Sequence, residues 1–157
     1  MILEAAIQFL ASYFGTIAFS VIFYIPREHY PCCGLIGGAG WMLYWWMTVL
    51  QEVSYLPATF LAAAFVVFLS RICGVIFKCP TTIFLSAGIF PLVPGIGIYR
   101  TVYYLIIGEI DQGSLYGRQT IGTAIAIVLG IIFVFEIPQQ GIAWIAKLPK
   151  IIRKKKR

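Results

Sequence analysis

The sequence predicts an all-α integral membrane protein, a bundle of about five transmembrane helices with the fourth broken between Pro91 and Gly95. Three observations predict it. Of 157 residues, 61% are hydrophobic and only 11% charged, with a mean hydropathy of +0.91; a soluble domain of this length has no way to hide so much apolar surface. The apolar residues also fall into stretches long enough to cross a hydrocarbon core, which takes about 20 helical residues for roughly 30 Å. And the fourth stretch contains Pro91-Leu92-Val93-Pro94-Gly95, which no continuous helix carries without cost.

The predicted spans cover residues 3–25, 32–50, 56–77, 81–108 and 119–137. The first carries Glu4, has no basic leader and ends without a small-residue cleavage site, so it reads as a span and not as a secretory signal. The connections are Pro26-Arg27-Glu28-His29-Tyr30-Pro31, Gln51-Glu52-Val53-Ser54, Lys78-Cys79-Pro80 and Glu109-Ile110-Asp111-Gln112-Gly113. All are short, so neighbouring helices are antiparallel and closely packed. Residues 1–148 form one transmembrane domain, ending in an interfacial or extended stretch, and 149–157 form a basic cytoplasmic tail.

Charge gives orientation. Lys147, Lys150, Arg153, Lys154, Lys155, Lys156 and Arg157 hold seven of the twelve basic residues and belong on the cytoplasmic side. Counting back through five spans puts Arg27 and Lys78 on that side as well, the acidic loops of Glu52 and of Glu109 and Asp111 outside, and the N-terminus outside. The basic tail adjoins a span and lacks interleaved aromatics, so its partner is anionic lipid and no nucleic acid is expected. Cys32, Cys33, Cys73 and Cys79 fall near cytoplasmic helix ends, where disulfides are not expected. Their spacing resembles no zinc site; they read as small apolar filler, and neither a metal nor a cofactor is called for.

Gln8, Ser12, Thr16 and Ser20 recur every four residues on the first span, beside Gly15. At 3.6 residues per turn they form one slowly rotating polar stripe that faces either another helix or a wet pathway. Gly34-x-x-x-Gly38 and Gly122-x-x-x-Ala126-x-x-x-Gly130 are small-residue faces for close helix contact. Trp41, Met42, Tyr44, Trp45 and Trp46 crowd one half of the second span, as interfacial anchors or under another protein surface.

A continuous helix from Thr81 to Gly108 would be about 42 Å long, about a third more than the hydrocarbon core. The two prolines supply an interruption: Pro91 and Pro94 leave the carbonyls of Ala87 and Phe90 without helical donors. Freed backbone groups at membrane depth persist only where protein or a water-filled cavity satisfies them. The half-helix beginning near Gly95 directs free N–H groups and a positive dipole end into the membrane centre, an arrangement suited to a carboxylate. Gly95 and Gly97 permit close backbone approach, Tyr99 and Tyr103 offer hydroxyls at helical spacing, and Arg100 lies little more than a turn on. Arg100 either holds a carboxylate with two parallel hydrogen bonds or snorkels toward Glu109 and Asp111. Two further intramembrane charges, Arg71 on the third span and Glu136 on the fifth, form an ion pair or take part in a gate or proton pathway.

Several of these features together resemble the threonine/serine exporter family, in particular its small five-span half. They are Ile25-Pro26-Arg27, the run Gly34-Leu35-Ile36-Gly37-Gly38-Ala39-Gly40-Trp41, Arg71 ahead of Lys78-Cys79-Pro80, and above all Pro91-Leu92-Val93-Pro94-Gly95 with Tyr99. The resemblance implies the C-terminal-half subunit of a split secondary exporter in a bacterial cell membrane, working with a larger five-span partner. It further implies export of threonine, serine or related small carboxylates, in some split systems dicarboxylates, driven by the proton gradient. The rival from another class is an assembly or scaffold subunit, with the substrate site on the partner. No Ser/His/Asp or Cys/His set and no carboxylates paired at one depth point to an enzyme.

Overall fold

The computed structural model describes residues 2–138, and all of its regular elements are helical. Helix α1 runs Ile2–Ile22, α2 Tyr30–Trp45, α3 Tyr55–Phe77, α4 Thr81–Gly88, α5 Gly95–Ile106 and α6 Ile110–Phe135. Four helical segments are long and apolar enough to cross a membrane, and the bent pair α4–α5 makes a fifth crossing if counted as one span. The basic tail, with its expected lipid contact, and the stretch leading to it lie outside the described residues.

Helix α1 packs on α2, α2 on α3, α3 on α6, and α5 on α6, while α4 lies against α2 and α3. The buried centre joins Cys33 and Ile36 of α2, Ala62, Ala63 and Val66 of α3, Phe84 and Ala87 of α4, and Ile127 of α6. Small residues set these distances. Gly34 and Gly38 sit against the Tyr13 and Phe9 rings of α1. Gly130 lies so close to α3 that a Cβ there would stand 2.7 Å from the Phe60 carbonyl oxygen and 3.0 Å from the Ala64 nitrogen. Both small-residue faces thus meet helices of this same chain.

Two boundaries differ from the sequence expectation. The second span loosens into a wide π-turn over Trp46–Leu50, where the Gln51 N–H reaches five residues back to the Trp46 carbonyl at 3.3 Å. The last helix starts at Ile110, nine residues before the expected span. Polarity marks where apolar character ends, not where helix ends. Gly108, at φ +84°, completes the turn alone, and Asp111 in the first turn of α6 favours its positive end. Asp111, Gln112 and Gly113, read as loop, are therefore helical, and Arg118 is exposed on α6.

The turn between α1 and α2 buries His29 between the Phe77 and Phe84 rings, each centroid 5.3 Å away. Nearby, the Cys32 and Cys73 sulfurs approach to 3.0 Å, tying the start of α2 to the end of α3; all four cysteines are free thiols.

Candidate functional site

The break is a built structure. Pro91 falls in a single 3-10 turn, Phe90–Leu92, and the Val93 N–H donates to the Phe90 carbonyl at 3.0 Å. The carbonyl that Pro94 deprives of a helical donor is thereby satisfied within the turn. The Gly95 N–H turns back to the Val93 carbonyl at 2.8 Å, α5 begins, and the axis swings by 50°. The N–H groups of Ile96 and Gly97 have no main-chain acceptor, as befits the first turn of a helix.

Three adjoining cavities wrap this break. One of about 290 Å³ is walled by Trp41 and Tyr44 of α2, Thr59 of α3, the chain from Pro91 to Gly97, and Thr123 of α6. The second, of about 200 Å³, shares Tyr44, Pro94, Gly97 and Thr123 and adds Tyr55, Tyr116, Gln119 and Thr120. The third, of about 230 Å³, lies on the α1 side, between Gln8, Ala11 and Ser12, with Trp41 and Pro91 as its wall toward the first. Every lining residue is neutral. α5 can lie close to α6 because position 97 is glycine: a Cβ there would collide with the Thr120 hydroxyl.

Of the residues singled out in the sequence, Pro91, Pro94, Gly95 and Gly97 come together around the cavities. The stripe on α1 divides. Thr16 and Ser20 are fully buried, and each hydroxyl donates to the carbonyl four residues back, at 2.7 and 2.9 Å. Thr16 packs on Gly37 of α2, so this half serves helix contact. Gln8 and Ser12 line the α1-side cavity, and the Gln8 side-chain oxygen accepts the Trp41 indole N–H at 2.8 Å.

Tyr99, Arg100 and Tyr103 are not drawn in. Tyr99 is 68% exposed and stacks on Tyr103 along the open face of α5. The Arg100 guanidinium lies over the Tyr116 ring, 5.4 Å from its centroid, one ring removed from the cavity that Tyr116 lines. Among the described residues it forms no ion pair with Glu109 or Asp111.

Arg71 is 5% exposed and reaches α6, where it donates to the Val134 carbonyl and sits 5.5 Å from the Phe135 ring centroid. Glu136 is exposed, and no ion pair joins it to Arg71 among the described residues. The cation binds the carbonyl end of the helix, where the dipole is negative, instead of the acid two residues beyond.

Sequence reasoning missed the α3 and α6 walls. The signal was present: Tyr116, Thr120 and Thr123 follow helical spacing on one face, opposite the tyrosines of the second and third spans.

A chain whose interrupted span opens onto neutral cavities is matched by the family model described as Threonine/Serine exporter, ThrE, over residues 8–137. The chain belongs to the threonine/serine exporter family. No curated protein and no solved structure matches it. The exporter model covers the α1 stripe, the break and the α6 wall together, so all three cavities lie within the shared region. The family is one of transporters, and a multi-pass membrane protein for transmembrane transport is what the apolar helices and the family jointly define.

Proposed function

We propose that this chain is one subunit of a split secondary exporter for small carboxylate-bearing metabolites, threonine- or serine-type amino acids or dicarboxylates, acting with a larger five-span partner. One observation carries the reading: an interrupted span presents the open N–H groups of Ile96 and Gly97 beside largely apolar cavities that hold a few neutral polar groups. The exposed row of Tyr99, Arg100 and Tyr103 on α5 supports a partner, because a site using these groups is completed by another chain. The same reading takes the protein as a non-enzyme of the bacterial cell membrane, with N-terminus outside, C-terminus cytoplasmic, one transmembrane domain over 1–148 and an anionic-lipid contact at the tail. Protons are the coupling ion in this reading.

A non-catalytic scaffold role, with the substrate site on the partner, is favoured by one fact: every residue lining the cavities is neutral. Arg100→Gln separates the two. Export of threonine, serine and succinate is measured in cells carrying both chains, alongside co-purification of the complex. Lost export with an intact complex supports binding; full export removes Arg100 from the site and leaves the scaffold.

A further inference from the structure

The cavities hold polar groups of two opposite kinds. On α5 the Ile96 and Gly97 N–H groups are donors only. On the facing helices stand three threonines whose protons are already committed. Thr59 donates to the Tyr55 carbonyl at 2.7 Å, Thr120 to the Tyr116 carbonyl at 2.7 Å, and Thr123 to the Gln119 carbonyl at 2.9 Å. A hydroxyl has one proton and two lone pairs, so while these bonds stand each oxygen has only acceptor capacity left. Thr59 is buried to within 2% and, among the described residues, accepts from no donor. The tyrosine hydroxyls and the Gln119 amide both donate and accept, so they do not discriminate between ligands.

We propose that Thr59, Thr120 and Thr123 are specificity-determining residues, an acceptor wall that reads the protonated amine of a ligand whose carboxylate meets α5. The inference rests on the proposed function and deepens it by choosing between its two ligand classes. A zwitterion places acceptors against donors at one end and donors against acceptors at the other. A dicarboxylate's second anion is met by these oxygens only if each hydroxyl gives up its bond to the helix carbonyl, a cost that an amine does not incur. The rings of Trp41 and Tyr44, 5.4 Å apart on the same cavity, add attraction for a cation and none for an anion.

The test is calorimetric binding to the full-length chain, together with any co-purifying partner, in lipid nanodiscs. The probes are L-threonine, 3-hydroxybutanoate (carboxylate without amine) and succinate. Threonine is expected to bind about tenfold or more tighter than either of the others, the scale of one hydrogen bond from a charged donor. Thr120→Val with Thr123→Val is expected to erase most of that preference while leaving 3-hydroxybutanoate affinity unchanged, and serine at both positions to restore it. Thr59→Val gives an independent reading from α3. Succinate binding as tightly as threonine, or valine variants that weaken threonine and 3-hydroxybutanoate alike, overturns the acceptor wall but leaves the exporter standing. Failure of every carboxylate to bind removes the proposed function as well.

Discussion

Gly130→Ala tests the packing on which the whole arrangement depends. The added methyl would meet the Phe60 carbonyl oxygen at 2.7 Å, the Ala64 nitrogen at 3.0 Å and the Ala63 Cβ at 3.1 Å. Two of these are backbone atoms of α3, which do not swing aside as a side-chain tip does. Ordinary contact begins at about 3.4 Å, so the helices must part by up to about 0.7 Å along a seam closed by dispersion contacts. Overpacking of this kind costs about 1–3 kcal/mol, against about 1 kcal/mol regained because alanine favours helix over glycine. The net expectation is a loss of about 0–2 kcal/mol. Gly15→Ala is the matched control: nothing lies within 4 Å of its Cβ, so only the helix gain of up to about 1 kcal/mol applies. Thermal unfolding of both variants in the same detergent separates them by about 1–3 kcal/mol, with opposite signs expected. Equal stabilisation by both would refute the close α3–α6 approach, and with it the position of the α6 wall.

Arg71 and the cysteines give two further expectations. Glu136→Gln leaves stability within about 0.5 kcal/mol, whereas Arg71→Met removes the charged donor from the Val134 carbonyl, which keeps only the Ile137 N–H, at a cost of about 1–3 kcal/mol. A loss of about 3–5 kcal/mol on Glu136→Gln would instead reveal the ion pair that the structure lacks. Oxidation with diamide, which takes two electrons and two protons from a thiol pair, joins Cys32 to Cys73 in peptide mass spectra. Cys33→Ala leaves that product unchanged, and linkage of Cys33 to Cys73 instead would contradict the helix registers.

The spans, their antiparallel order and the broken fourth helix were legible because each follows from local chemistry: apolar length, short connections, and prolines that remove donors. Gly34 and Gly130 announced their roles for the same reason, since a missing side chain has few uses inside a bundle other than close approach. The start of α6 was not legible, because Asp111 and Gln112 are polar without being helix breakers. Arg71 shows the limit for charges. The sequence offers Glu136 as the acid within a span on that side, but a helix end carries a partial negative charge that no residue letter records. Tyr44, Tyr55, Thr59 and Thr120 were missed as a group because they are far apart in the chain and meet only when α2, α3 and α6 close around the break.

The neutrality of that meeting point follows from the solvent. A carboxylate or ammonium fixed at membrane depth costs several kcal/mol unless it is paired, and a standing partner would itself block the site. A threonine on a helix avoids the dilemma. Its hydroxyl bonds the helix carbonyl four residues back, so no donor goes unsatisfied in the cavity, and the remaining lone pairs keep the capacity to accept. The donor side works in the same way: the N–H groups opened by Pro91 and Pro94 belong to the backbone and bring no net charge into the membrane. The full charge on Arg100 remains outside the cavity, its guanidinium over the Tyr116 ring.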